Sequence, residues 1–142
     1  MPVRKAEAEW KGSLREGRGN IKLSSGAFQG AYSFGTRFEE APGTNPEELI
    51  GAAHAGCFSM AFSAALGKAG FSPLRIHTVA SVHLDKVGDG FEITTIHLAT
   101  EAEVPEIDAA AFGQIAEAAK KGCPVSKALA GPKITLDARL IG

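Results

Sequence analysis

The chain has 142 residues, of which 44% are hydrophobic and 22% charged, a composition typical of one globular domain and not of a disordered segment. Its 15 Lys and Arg residues against 16 Asp and Glu leave a formal net charge of −1, which disfavours nucleic-acid binding. The 2 cysteines are too few for a disulfide framework or a four-cysteine zinc site, and residues 1–11 are charged where a signal peptide would be apolar. We therefore expect a single cytoplasmic domain over residues 1–142.

The first part of the chain is predicted to form three strands. Residues 3–14 alternate loosely between apolar and charged side chains, as a half-buried strand does. A Gly-rich turn at residues 16–19 leads into a returning strand over 20–24. Residues 31–38 contain several aromatic side chains and form the third candidate strand.

A long helix is predicted after a break rich in Pro and Gly at residues 41–46. Asn45 is a good N-cap, Pro46 suits the first helical position, and Glu48 has the spacing of a capping box. We expect the helix to run from Pro46 to about Ala69.

The middle of this helix, residues 50–66, is apolar or small on almost every face. Such a helix is buried either in protein or in lipid. The run of 17 residues is short for a membrane span, is interrupted by His54, Ser59 and Ser63, and lacks flanking aromatic and basic belts. We therefore expect burial in protein and no membrane partner.

The second half of the chain is predicted to contain a long hairpin, two helices and a strand. The hairpin pairs two runs rich in Val, Ile and Thr across a Gly-Asp-Gly turn. The predicted elements are strands over 74–86 and 91–104, helices over 109–121 and 125–130, and a closing strand over 134–141. The order of all these elements indicates an α+β domain.

The two cysteines are the main candidates for chemistry. Cys57 lies in the middle of the long helix, where a cysteine is either a small buried hydrophobe or a reactive thiol. Cys123 precedes Pro124 at the start of a short helix, where exposed amides stabilise a thiolate; it could equally be an inert capping residue. Arg37 lies shortly before the long helix, and an arginine beside a buried thiol would lower its pKa.

The four histidines are weaker candidates. His54 precedes Cys57 by three residues and lies on a neighbouring helix face, so a Cys–His pair is possible, although we favour a packed core histidine. The other three, His77, His83 and His97, fall on the expected exposed side of the hairpin without metal-ligand spacing. We therefore expect no metal site.

Four segments of the chain resemble the OsmC/Ohr family of hydroperoxide-reducing thiol proteins, with the OsmC branch the closer match. Order and spacing agree from Trp10 onwards. The segments are GTRFE at 35–39, GTNPEELI at 43–50, AAHAGCFSM at 52–60 and GCPVSK at 122–127. The resemblance implies an antiparallel sheet wrapped around a long buried central helix, with a second helix, in an intertwined dimer.

The resemblance also implies a cysteine-based peroxidase that reduces organic hydroperoxides, and more weakly hydrogen peroxide, to alcohols. Cys57 would match the peroxidatic cysteine and Cys123 the resolving cysteine, and the two would form a disulfide. Glu47 matches the glutamate of the Asn-Pro-Glu motif. Arg37 matches the catalytic arginine of the OsmC pattern, whereas Arg18 lies where the Ohr branch places its arginine.

No bound cofactor or metal is implied, only an external dithiol of the dihydrolipoamide type. Two other functions stay open from the residues alone. In the first, the apolar helix lines a pocket for a small apolar ligand and the cysteines are inert. In the second, the chain is a thiol–disulfide oxidoreductase acting on proteins, although residues 123–126 lack the second cysteine of a Cys-x-x-Cys motif.

Helix geometry leads to a prediction about assembly. Glu47 and Cys57 are ten residues apart on one helix, which places their α-carbons about 15 Å apart along the axis and on different faces. Either a long arginine bridges this gap, or Glu47 serves the Cys57 of a second chain across a two-fold axis. We therefore expect an obligate homodimer in which both chains contribute to each site.

Overall fold

The computed structural model describes residues 2–131 of the chain, which form two compact units. The first unit comprises the chain up to Gly51 together with Val82–Ile96, and the second comprises Ala52–Ser81 together with the chain from His97. In chain order the elements are β1 (Ala6–Lys11), β2 (Arg18–Leu23), β3 (Gln29–Tyr32), α1 (Phe34–Phe38), α2 (Pro46–Lys68), β4 (Arg75–Val87), β5 (Gly90–Glu103), α3 (Ala109–Gly122) and α4 (Pro124–Leu129).

A three-stranded antiparallel meander forms the sheet of the first unit, in the order β1-β2-β3. Gly19 pairs with Trp10 on one side and with Tyr32 on the other, and the centroids of these two rings lie 5.3 Å apart. A Cβ at Gly19 would overlap the Tyr32 ring and lie 2.6 Å from Cε3 of Trp10. The absence of a side chain at Gly19 therefore lets the two rings meet above β2.

The prediction of a strand over residues 31–38 is wrong beyond Tyr32, because α1 begins at Phe34. Ser33 caps this short helix with a capping box: its Oγ accepts from the Thr36 N–H at 3.3 Å, and Thr36 Oγ1 accepts from the Ser33 N–H at 2.9 Å. Phe34 and Phe38 lie four residues apart and pack with centroids 4.9 Å apart. This spacing belongs to a helix face, and a strand would place the same residues differently.

The long helix α2 begins at Pro46 as predicted, and its end at Lys68 is one residue from the expected position. Asn45 Oδ1 accepts a hydrogen bond from the Glu48 N–H at 2.8 Å, which is the predicted cap. The Asn45 side chain also donates from Nδ2 to the carbonyl oxygen of Thr36 at 2.9 Å. One side chain therefore caps α2 and ties its start to α1.

The core of the second unit is formed along one side of α2. Phe58, Phe62 and Leu66 are buried there together with Ala119 and Cys123. Partly buried apolar residues from α2 itself, β4, β5, α3, α4 and their connections pack against this cluster: Cys57, Ala61, Phe71, Ile76, Leu98, Ala102, Val104, Ile107, Phe112, Ile115, Ala116 and Val125. The core therefore holds the α2 segment that carries Cys57 against the α3–α4 junction that carries Cys123.

The bounds of β4, β5, α3 and α4 lie within one residue of the prediction, whereas β1 is three residues shorter than predicted at each end. Strands β4 and β5 form a two-stranded sheet joined by Gly88 and Asp89, so they run antiparallel. Helices α3 and α4 lie where Asp108 and Cys123 were expected to begin them. The strand predicted over residues 134–141 lies outside the described residues.

One face of helix α2 is exposed in the part of the chain that the structure describes. Met60 is 77% exposed, and the small residues Ala53, Gly56 and Gly67 are exposed with it. Within residues 2–131, α2 is the one helix long and apolar enough to cross a membrane, and 28% of its most apolar stretch is buried. Residues 2–131 therefore leave an apolar stripe along α2 uncovered.

We expect Gly19→Ala to lower the free energy of unfolding by about 1–3 kcal/mol, because the new methyl group overpacks the space between the Trp10 and Tyr32 rings. Gly113→Ala is the matched control, since a Cβ there meets open space on α3 and should stabilise by about 0.5–1 kcal/mol. Urea unfolding measures both. Equal stability of Gly19→Ala and the unsubstituted chain would contradict this packing.

Candidate active site

Arg37 and Glu47 form a two-pronged ion pair in the first unit. Arg37 Nε donates to Oε1 of Glu47 and Nη2 donates to Oε2, both at 3.0 Å. Glu47 is buried, whereas the Arg37 side chain is 37% exposed. These two parallel hydrogen bonds, called the fork below, fix the plane of the guanidinium. Arg37 has more N–H groups than Glu47 uses, so it can also bind a further acceptor.

The local structure explains why these two side chains meet. Arg37 lies in the last turn of α1 and Glu47 in the first turn of α2, and Asn45 ties the two helices together. The capping box of α1 thus sets the direction of the arginine. The predicted strand over 31–38 would have aimed Arg37 elsewhere.

Cys57 and Cys123 face each other in the second unit. Both are free thiols, Cys57 half-buried on α2 and Cys123 fully buried at the N-cap of α4. Their Sγ atoms lie 3.0 Å apart, about 1 Å longer than a disulfide bond. A disulfide between them therefore needs only a small local movement.

The surroundings shift the pKa values of the two thiols in opposite directions. Burial raises the pKa of Cys57, and its hydrogen bond with Cys123 raises it further. Burial acts the same way on Cys123, but the Cys57 thiol together with the polar groups of Val125 and Ser126 at the start of α4 outweighs it, so the pKa of Cys123 is lowered.

The two sulfurs share one hydrogen bond. With both thiols protonated, Cys123 donates to Cys57. In the single chain the opposite shifts favour ionisation of Cys123, which lies at a helix N-terminus. The expectation that an arginine lowers the pKa of Cys57 does not describe the single chain, because its pKa is raised there by burial and by Cys123.

His54 lies close to this thiol pair but does not hydrogen-bond to Cys57. It is buried, and its Nε2 lies 2.7 Å from Oγ of Ser126. Its Nδ1 is buried without a hydrogen-bond partner in the part of the chain that the structure describes, and burial lowers the pKa of His54. The imidazole is therefore a buried neutral group, as predicted, but Ser126 is a contact that the sequence reasoning missed.

The signal that could have found Ser126 is its position in α4. Cys123 is the N-cap and Ser126 the third helical residue, and side chains at these two positions are neighbours in a capping box. The Cys-Pro-Val-Ser run contains this spacing.

Arg18, the alternative arginine, lies on β2 and is exposed. It lines an open cavity of 540 Å³ together with Phe28, Tyr32 and Glu48. The structure thus pairs Glu47 with Arg37 and places Arg18 in a different surface of the same unit.

The hairpin histidines His77, His83 and His97 are exposed, as expected. Across residues 2–131, no three His, Cys, Asp or Glu side chains gather as metal ligands would.

Comparisons with known proteins agree on one family. A family model described as OsmC-like protein matches residues 38–137. Peroxiredoxin OsmC of Escherichia coli (strain K12) is 54% identical over 138 residues, which cover 96% of each chain.

Two solved structures have the same fold. The organic hydroperoxide resistance protein OsmC from Legionella pneumophila superimposes with a TM-score of 0.68 at 21% identity, covering 92% of this chain and 93% of that one. The organic hydroperoxide resistance protein OhrB of Bacillus subtilis gives 0.67 at 23% identity, covering 89% and 91%. They confirm the predicted α+β OsmC-like fold. The family match over most of the chain and the identity to the Escherichia coli protein together show that this chain belongs to the OsmC family.

Proposed function

We propose that the chain is a cysteine-based peroxidase that reduces organic hydroperoxides, and hydrogen peroxide more weakly, with Cys57 as the peroxidatic and Cys123 as the resolving cysteine. Thiol peroxidase activity follows from its family membership. The observation that carries the assignment of roles is the 3.0 Å between the two sulfurs, with Cys57 half-buried and Cys123 fully buried. Two inert cysteines would have no reason to meet at this distance, which favours redox chemistry over simple ligand binding.

In the first step the Cys57 thiolate attacks the terminal oxygen of the hydroperoxide. The O–O bond breaks, the Cys57 sulfur is oxidised to a sulfenic acid, and the alkoxide takes up a proton to leave as an alcohol. Arg37 supplies positive charge at the oxygen where anion develops, and Glu47 keeps its guanidinium in one orientation.

In the second step the Cys123 thiolate attacks the Cys57 sulfenic sulfur. An S–S bond forms, the S–O bond breaks, and the departing hydroxide takes up a proton to become water. An external dithiol, for which we propose a dihydrolipoamide-type compound, then exchanges with this disulfide and returns both cysteines to thiols while becoming a disulfide itself.

A small cavity beside Arg37 supports an organic substrate. It measures 210 Å³, and its walls include Trp10, Leu14, Phe34 and Phe38. Aromatic and aliphatic walls next to a guanidinium suit a molecule with a hydrocarbon tail and one polar end. Hydrogen peroxide would leave such walls uncovered, so we propose that it is a weaker substrate than an organic hydroperoxide.

We propose that the active unit is a homodimer in which Arg37 and Glu47 of one chain face Cys57 and Cys123 of the partner subunit. Glu47 and Cys57 are ten residues apart on α2, too far for both to reach one peroxide directly along a straight helix. The exposed stripe of small residues around Met60 would let two α2 helices approach closely. Burying this stripe against a second copy also removes apolar surface from water.

We also propose that the whole chain acts as one domain in the cytoplasm. A reducing compartment keeps two free cysteines as thiols between turnovers. A membrane is the competing cover for the α2 stripe, but His54, Ser59 and Ser63 interrupt that helix with polar side chains that lipid does not solvate.

Cys57→Ser should abolish peroxidase turnover with cumene hydroperoxide, because the peroxide then has no nucleophile. Cys123→Ser should consume about one peroxide per chain and stop at a sulfenic acid, since no thiol remains to resolve it. Mass spectrometry after dimedone labelling detects that sulfenic acid, and the unsubstituted chain should instead show a Cys57–Cys123 disulfide. Full turnover by Cys57→Ser would end the assignment.

Arg37→Ala should slow peroxide attack by about 10²–10³-fold, the usual effect of removing one group that stabilises an oxyanion. It should also move the pH–rate profile of Cys57 to higher pH, because the lost positive charge no longer favours the thiolate. Arg37→Lys keeps the charge but loses the fork with Glu47, so its rate of peroxide attack should lie between those of Arg37→Ala and the unsubstituted chain. Arg18→Ala is the matched control, and a larger loss in that variant would transfer the role to Arg18.

Shared sites can be tested with mixed dimers, co-expressed with two different tags. Glu47→Ala and Cys57→Ser homodimers should both be impaired. The mixed dimer of these two subunits should regain one complete site, because the Glu47 of one chain then meets the Cys57 of its partner. We expect about half of the normal activity per dimer, since one of two equivalent sites is restored.

The reciprocal pair supplies the control. A Glu47→Ala/Cys57→Ser double variant paired with an unsubstituted subunit places one defect in each shared site, so that dimer should be impaired. Sites contained within one chain predict the opposite result for both dimers. Sedimentation of the active protein as a monomer would reject the dimer outright.

A further inference from the structure

The Asn45 side chain is hydrogen-bonded at both of its ends, once to each of the two helices that carry the fork. Its Nδ2 donates to the Thr36 carbonyl oxygen at 2.9 Å, and its Oδ1 accepts from the Glu48 N–H at 2.8 Å. Thr36 directly precedes Arg37, and Glu48 directly follows Glu47. One amide group therefore joins the neighbour of the arginine to the neighbour of the glutamate. The mechanism proposed above assigns no role to Asn45.

The loop before α2 lies tightly against both helices. Gly43 has a φ of +140°, and a Cβ there would lie 2.8 Å from Cγ2 of Thr36, so the missing side chain allows the loop to approach α1 closely. Thr44 is buried, and its hydroxyl donates to Oε1 of Glu48 at 3.0 Å. Asn45 follows at once and is half-buried. The amide is therefore held between the two helices by its own loop.

Capping explains only one half of the Asn45 side chain. Asn and Asp cap helices about equally well, because each offers an oxygen to the first amides, but only Asn also has N–H donors. The partner of that donor is the carbonyl of Thr36, close to the end of a helix that stops at Phe38, where carbonyls have no partner within the helix. One amide thus completes hydrogen bonding at the end of α1 and at the start of α2.

We propose that Asn45 is a positioning residue for the fork: its amide holds the end of α1 against the start of α2, so that Arg37 and Glu47 meet in one plane. This role rests on the proposed function, in which Arg37 stabilises the negative charge that develops on the peroxide oxygen, and it adds a requirement to the first step. Asn45 acts through Arg37 and does not itself touch the peroxide.

The fork needs this support because its arginine is partly exposed. The Arg37 side chain is 37% exposed, against 10% for Glu47, and an ion pair that solvent reaches contributes little to holding its own geometry. Both N–H···O distances are 3.0 Å, and a displacement of about 1 Å at a catalytic group lowers a rate by as much as about 10²-fold. The contact through Asn45 restricts the fork before the peroxide binds.

The fork can be observed without peroxide through the Nε–H signal of Arg37 in nitrogen-15 NMR of the full-length protein. Asn45→Asp keeps an oxygen for the cap but removes the donor to Thr36. Exchange of the Arg37 Nε–H with water should then be about five- to tenfold faster, because opening of the fork no longer has to break the Asn45–Thr36 hydrogen bond. Arg37→Lys assigns the signal by its loss, and Glu47→Gln gives the exchange rate of a guanidinium without its carboxylate.

Two further variants separate positioning from charge and from stability. Asn45→Ser adds no charge and has one oxygen where Asn45 uses two separate atoms, so it should accelerate exchange as Asn45→Asp does, and it decides the test if Asn45→Asp does not fold. Asp108→Ala is the matched control, because Asp108 caps α3 by accepting from the Ala111 N–H at 2.7 Å. It should lower the urea midpoint and leave the Arg37 exchange rate unchanged.

In the peroxidase reaction, Asn45→Asp should slow the attack of Cys57 on cumene hydroperoxide by about 10- to 10²-fold. In a Glu47→Gln background the same change should slow it by less than about twofold, since the fork that Asn45 positions is already lost. A merely structural role of Asn45 would cost the same factor in both backgrounds.

An unchanged Arg37 exchange rate in both Asn45 variants would overturn the proposal, and so would equal losses of rate in the two backgrounds. Because exchange is measured without turnover, this test can fail while the peroxidase assignment stands. Faster exchange in a chain that turns over no peroxide would reject the peroxidase assignment and leave the placement of Arg37 by Asn45 intact.

Discussion

The contact between Cys57 and Cys123 depends on how the apolar core of the second unit is packed. Phe58, Phe62 and Leu66 fix one side of α2 against the α3–α4 junction, and the two sulfurs meet at the edge of this cluster. Protein cores are packed densely enough that a change of one methylene is felt by the neighbours. Two thiols held in this way keep their geometry while both cysteines are reduced.

Helix α2 sets a second constraint, because it carries Glu47 at one end and Cys57 in its middle. A continuous helix cannot bend back to bring these positions together. The charged fork and the thiol pair are therefore each complete by themselves, in different units. Burial and the Cys123 thiol raise the pKa of Cys57 in the single chain, and a second chain is the proposed source of a positive charge that favours its thiolate.

The sequence predicted those parts of the fold that depend on local signals. The cap of α2 by Asn45, the hairpin turn at Gly88 and the cap of α3 by Asp108 all lie within a few residues of the elements they begin or join. The α1 segment was misassigned because aromatic residues favour strands on average, while the Ser33–Thr36 box that decides for a helix is a weak signal in a short stretch.

In the candidate site, too, the sequence predicted the residues that local motifs mark but not the long-range contacts between them. The motifs marked Arg37, Glu47, Cys57 and Cys123 through the resemblance, but the fork and the distance between sulfurs are long-range contacts that no local pattern encodes. The direction of the Cys57 pKa shift could not be predicted either, since it depends on burial and on the partner sulfur. Ser126 was overlooked because its contact with His54 joins residues that are far apart in the sequence.

The difference in exposure between the two sulfurs has a consequence for recycling. Cys123 is fully buried and Cys57 is half-buried, so in the proposed cycle an incoming dithiol can reach only the Cys57 sulfur of the disulfide. Cys123 is then the leaving group, and the groups that lower its pKa make its departure easier, because thiol exchange is faster when the leaving thiol is more acidic. In the proposed cycle the mixed disulfide between protein and reductant therefore forms at Cys57, and the surface around Cys57 is where reductants are selected.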